Sequence, residues 1–108
     1  MCSYKTLHHS EHGYVLRCER CGHLNIGFGT TLLALTDDQF YAFSEKVEDL
    51  YVMHQQDKEQ HRKHICVPTA AKSVTLIYSF NDLKRLTVLL DKAKDRLSLE
   101  KLFVFHDN

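Results

Sequence analysis

Thr36-Asp37-Asp38-Gln39 and Ser79-Phe80-Asn81-Asp82 stand 43 residues apart, and each opens a run whose apolar residues recur at three- and four-residue steps. Such a run predicts an amphipathic helix and requires a surface to receive its apolar stripe, so the pairing constrains the fold more than any other feature. In the first case threonine and glutamine form a capping box, each side chain satisfying one orphan amide at the helix start. The stripe behind it is Phe40, Phe43, Val47, Leu50, Tyr51 and His54. Behind Ser79 it is Leu83, Leu86, Leu90, Ala93 and Leu97. The offset superposes Thr36, Phe40, Phe43, Val47 and Leu50 on Ser79, Leu83, Leu86, Leu90 and Ala93. A ββα pseudo-repeat would produce this spacing, and so would two unrelated capped helices that each pack on a sheet.

Strands are expected ahead of both helices. Gly13, Gly22, Gly27 and Gly29 are all the glycines of the chain, and they punctuate segments rich in β-forming residues. The pattern predicts a first strand near 4 to 9, a turn over residues 10 to 13, and a second strand at 14 to 18. A third strand at 23 to 28 then meets a fourth at 31 to 35 through Gly29-Thr30, where glycine first suits a type II′ turn. The polar run QQDKEQHRKH reads as a solvated helix end and loop. Beyond it come a short strand at 64 to 67, Pro68, and a strand at 73 to 78. The tail LSLEKLFVFHDN either extends the second helix or adds a turn or strand. The expected class is α+β, with an antiparallel meander of four to five strands and both helices on one face. Residues 1–108 are expected to make one domain, with a cysteine-bearing meander and first helix in 1–54 and a second strand-strand-helix unit in 64–108.

Lysine plus arginine and aspartate plus glutamate are both 14, which leaves no global field to draw in nucleic acid or anionic lipid. Residues 1 to 54 carry 4 basic and 7 acidic side chains and residues 55 to 108 carry 10 and 7, a mild asymmetry typical of solvated helix faces. No apolar run approaches the ~20 residues of a membrane helix, and MCSYKTLHHS lacks the regions of a signal peptide, so a soluble cytoplasmic protein is expected. In that reducing compartment the four cysteines read as thiols or metal ligands and not as a disulfide framework.

Cys18-Glu19-Arg20-Cys21-Gly22 is the segment with chemical content. Zinc favours Cys-x-x-Cys because two thiolates on a tight turn reach one tetrahedral centre, and a following glycine lets the backbone fold under the sulfurs. Structural zinc is therefore the leading reading, ahead of buried structural cysteines and of a redox pair. A redox pair belongs in a strand-to-helix turn, where the helix N-terminus lowers a thiol pKa, and this pair lies between strands.

One such turn supplies only two ligands. With Glu11-His12 at the centre of the first turn, hairpin register places Cys2 across from Cys21 and Lys5 across from Cys18, which nominates Cys2 as the third ligand. His9, His64 and Cys66 are the candidates for the fourth, with water as the alternative. His9 needs a bent hairpin, since it is ~10 to 13 Å up the strand. His64 and Cys66 share a strand face, and the 43-residue offset maps them onto Cys21 and His23. A small buried hydrophobe is the simpler reading of Cys66, and solvated loop positions are the simpler readings of His54, His61 and His64.

The segment GYVLRCERCGHLNIGFGTTLLALTDDQFYAF, preceded by Cys2, resembles a family of small bacterial proteins of unknown function found in Bacteroidetes. The resemblance covers most of the first half. It implies a compact α+β protein with a cysteine knuckle, favours Cys2, Cys18 and Cys21 acting together, and brings no activity, substrate or catalytic residue.

Three functions follow in order. The first is a non-enzymatic module tied together by zinc, meeting a protein partner or its own copy. The second is nucleic-acid binding through Arg17, Arg20 and His23 with Lys58, Arg62 and Lys63, against which net neutrality weighs. The third is a metal enzyme with an open site of Cys2, Cys18 and Cys21, for which no persuasive general base is evident.

Overall fold

A computed structural model describes residues 3–106, with side chains through residue 102. The architecture is α+β. Strands β1 (Tyr4–Ser10), β2 (Gly13–Cys18), β3 (Leu24–Phe28) and β4 (Thr31–Leu35) form one sheet in chain order. Helix α1 (Asp37–Met53) follows. Strands β5 (Ile65–Pro68) and β6 (Thr75–Tyr78) pair antiparallel as a second sheet, and helix α2 runs from Phe80 to His106. The described part of the tail, through His106, is thus the end of a helix. Strand-strand-helix occurs twice in chain order, as β3-β4-α1 and as β5-β6-α2, and among the described residues six strands divide between two sheets where a single sheet of four to five was expected.

The first hairpin keeps the expected register near its turn, with Ser10 opposite Gly13, His9 opposite Tyr14 and His8 opposite Val15. It then shifts at Leu7. Thr6 faces Leu16, Lys5 faces Arg17, and Tyr4 faces Cys18 in place of the expected Lys5. An extra residue in one strand of a pair re-aims a side chain at the cost of one ladder position. Here the extra residue is Leu7, which is buried between better exposed neighbours. Gly29 has φ +59 and Thr30 does not have a positive φ, the pattern of a type II′ turn. β3 is buried along all five residues. Gly27 within it is covered by the ring of its cross-strand partner Tyr14, whose Cζ would stand 2.3 Å from any added Cβ.

By contact the chain forms two units. One comprises the stretch through Ala34 with α2 from Val88 onward, and the other is Leu35–Thr87. In the first, a Cβ at Gly13 would meet the Gly27 carbonyl oxygen at 2.3 Å and Leu89 at 3.2 Å, so strand and helix approach closely there. Lys5 also reaches Glu100 at 2.9 Å. In the second unit α1 packs on β5, Tyr51 stacks on Phe80 at 5.3 Å, and Ile65, Val67, Leu76 and Tyr78 give the two strands one buried face.

Both helix starts are closed reciprocally. Thr36 Oγ1 accepts from the Gln39 amide while Gln39 Oε1 accepts from the Thr36 amide. Forty-three residues on, Ser79 Oγ accepts from the Asp82 amide and Asp82 Oδ2 accepts from the Ser79 amide. Phe40, Phe43 and Val47 are buried, as are Leu83, Leu86 and Leu90. The offset therefore extends from sequence into cap geometry and burial.

Asp82 also takes a 2.7 Å contact from Lys63. Burial pushes its carboxyl pKa up, but the Lys63 ammonium together with the Ser79 amide and hydroxyl outweighs this and holds it below the ordinary value. A depressed carboxyl contributes stability above its unfolded pKa of ~4 and loses it as pH falls through the lower folded value. Asp82→Asn should thus be less stable than the parent at neutral pH, and urea titrations at stepped pH should show that gap closing below about pH 4. A gap unchanged down to strong acid would contradict this origin.

Candidate metal centres

Cys18 closes β2, and the chain turns back into β3 through a tight knuckle. The Gly22 amide donates to the Cys18 carbonyl at 2.8 Å, and the Cys18 amide donates to the His23 carbonyl at 2.9 Å. Gly22 has φ +80, the left-handed conformation that a side chain resists, which is why glycine follows the pair. Within this turn the Cys21 amide points at Cys18 Sγ, 3.4 Å away. The thiolate is the form of cysteine that binds metal, and an N–H directed at sulfur is a contact that a metal-bound thiolate can accept. Cys18 is buried and Cys21 exposed, so the turn presents one sulfur from the protein interior and one from its surface. Arg17 Nη1 donates to the Gly22 carbonyl at 2.7 Å, which places one of the basic residues beside the knuckle in a structural role. The Glu19 amide meets the Ser3 carbonyl at 2.8 Å, tying the start of β1 to the turn.

Cys2 lies outside the described residues. His9 faces Tyr14 near the turn end of β1, five residues from Tyr4, the partner of Cys18, and hence ~17 Å along the strand by its rise. Cys66 is on the exposed face of β5 opposite Ile77, so the buried-hydrophobe reading of Cys66 is corrected: in the pleat, Ile65 and Val67 take the inward positions.

His64 belongs to a different constellation. It lies 2.8 Å from Asp57 Oδ2 through Nε2, and His54 Nδ1 is 4.0 Å from the same oxygen. The two imidazoles stand edge to face at 5.9 Å. The stretch is a mostly exposed loop, as its polar run implies, and hydrogen bonds organise it. Asp57 Oδ1 accepts from the Glu59 amide, His64 Nδ1 meets the Arg62 carbonyl at 3.0 Å, and His61 contacts Asn81 at 3.0 Å.

A family model described as a family of unknown function (DUF6686) matches residues 1–107. The chain belongs to that family. No curated protein and no solved structure matches it. The match to DUF6686 spans both the cysteine turn and the histidine loop, and it agrees with the resemblance read from the segment around RCERCGH. Among the described residues of this DUF6686 chain, no helix is long and apolar enough to cross a membrane. Sequence reading of the family member missed the partnership of His54, Asp57 and His64. The available signal was His54-x-x-Asp57 at a helix end, where the Asp57 amide returns to the His54 carbonyl at 3.0 Å and brings the two side chains to one side.

Proposed function

We propose that this protein is a small non-enzymatic module in which Cys18 and Cys21 hold a structural zinc ion, and whose surface meets another protein or its own copy. The observation that carries this reading is the knuckle itself, a left-handed Gly22 behind the pair and a backbone amide directed at the first sulfur. Zinc in such a turn contributes folding energy and performs no chemistry on a substrate. The protein-contact part draws support from the concave surface flanked by the turns at 10–13 and 29–30, where Leu32 is 61% exposed beside His9, Tyr14 and Phe28.

Cobalt substitution tests the metal. The loaded protein should show intense sulfur-to-cobalt absorption, and Cys21→Ser should abolish it. Cys2→Ser and Cys66→Ser, by weakening the band or leaving it intact, then identify which of these supplies further ligands. No thiolate band in the parent protein, together with melting that a chelator does not move, would end the zinc reading.

A further inference from the structure

Asp57 Oδ2 is closed off from solvent, and among the described residues no group donates a hydrogen bond to it. His64 Nε2 faces it at 2.8 Å. A carbonyl oxygen can only accept, so the 3.0 Å contact between Nδ1 and Arg62 places the proton on Nδ1. Nε2 is then left facing the carboxylate oxygen, a position that either a second ring proton or a bound cation fills. His54 aims Nδ1 at the same oxygen, and the three ligand atoms lie within 4.8 Å of one another.

We propose that His54, Asp57 and His64 form a binding site for a divalent cation of the zinc class, with its remaining position open to water. Two imidazoles and a carboxylate suit such ions. A tetrahedral ion with bonds of ~2.0–2.2 Å needs ligand separations of ~3.3–3.6 Å. The observed 2.8 and 4.0 Å lie on either side of that range. The outer contacts are those that ligands require. His64 turns Nδ1 to a backbone carbonyl, which leaves Nε2 as the nitrogen that can offer a lone pair to an ion, and Asp57 Oδ1 is held by the Glu59 amide. The loop is anchored by the Asn81 amide on the Gln60 carbonyl and by Lys63 on Asp82. His54 is the C-cap of α1, whose last turn carries no basic residue, so a cation there also complements the negative end of the helix dipole.

Metal counting on the full chain tests the site without reference to the cysteines. The parent, His64→Gln and Asp57→Asn are stripped with chelator, equilibrated with micromolar free zinc, and assayed for bound metal. The His64 side chain lies at the surface, 32% exposed, so His64→Gln should fold, and unchanged circular dichroism in chelator confirms it. The parent should bind one equivalent more than either variant, whether or not the cysteine turn is loaded. In nitrogen-detected NMR, zinc should shift His64 Nε2 and leave Nδ1 protonated. Equal zinc content in all three proteins, or a His64 protonated on both nitrogens that zinc does not displace, overturns the site. Loss of the sulfur-to-cobalt band with this extra equivalent retained would instead remove the cysteine reading alone.

Discussion

Cys18→Ser should lower the melting temperature by more than any other single cysteine substitution among the described residues, and chelation of the parent protein should reproduce most of the drop. Two magnitudes separate the explanations. If Cys18 is only a buried thiol, replacing it by the more polar serine hydroxyl costs about 1–3 kcal/mol. If it holds structural zinc, the lost metal is worth far more, since such sites in small domains contribute about 10–16 kcal/mol of apparent binding energy. At roughly 4 °C per kcal/mol for a chain of this size, the metal case exceeds about 12 °C. The variant should then lack most of the parent's response to chelator, keeping only what the His54, Asp57 and His64 site contributes. A parent that responds as little, with Cys18→Ser in the small range, would return the pair to ordinary packing.

Phe40→Ala should destabilise the protein by about 3–5 kcal/mol, and Leu83→Ala by about 2–5 kcal/mol, in urea titrations. Both side chains are 0% exposed, and each sits four residues after its cap residue on its own helix. Phe40 also meets the Tyr41 ring edge-on at 5.5 Å, which adds about 0.5–1.5 kcal/mol beyond buried area. Leu32→Ala, on an exposed position, should stay within about 0.5 kcal/mol. Equal losses at Leu32 and Phe40 would mean that the stripes do not carry the core.

Much of the fold was legible because its determinants are local. Capping at Thr36 and Ser79, the stripes behind them and the glycine turn at 29–30 each depend on residues a few positions apart, and each forms as the pattern implies. What escaped depends on contacts that no short window contains. The shift at Leu7 follows from a demand to bury that side chain, which hairpin arithmetic from the turn does not include. Division of the strands into two sheets is likewise a pairing choice between elements. At the candidate centres, the knuckle geometry around Cys18 and Cys21 was readable from Cys-x-x-Cys-Gly. The loop from Asp57 to His64 was not, because a run of charged and amide side chains reads as solvated until its hydrogen bonds to Asn81 and Asp82 are known.

The irregularity at Leu7 has a further effect, because β1 is an edge strand among the described elements. An edge with evenly spaced amides and carbonyls is a template on which another chain can zip, the starting point of fibres. The extra residue breaks that spacing into Tyr4 to Thr6 on one side and His8 to Ser10 on the other. Neither run is long enough to hold a foreign strand in register. Burying one leucine thus also protects the protein, at high concentration, from aggregating along its own first strand.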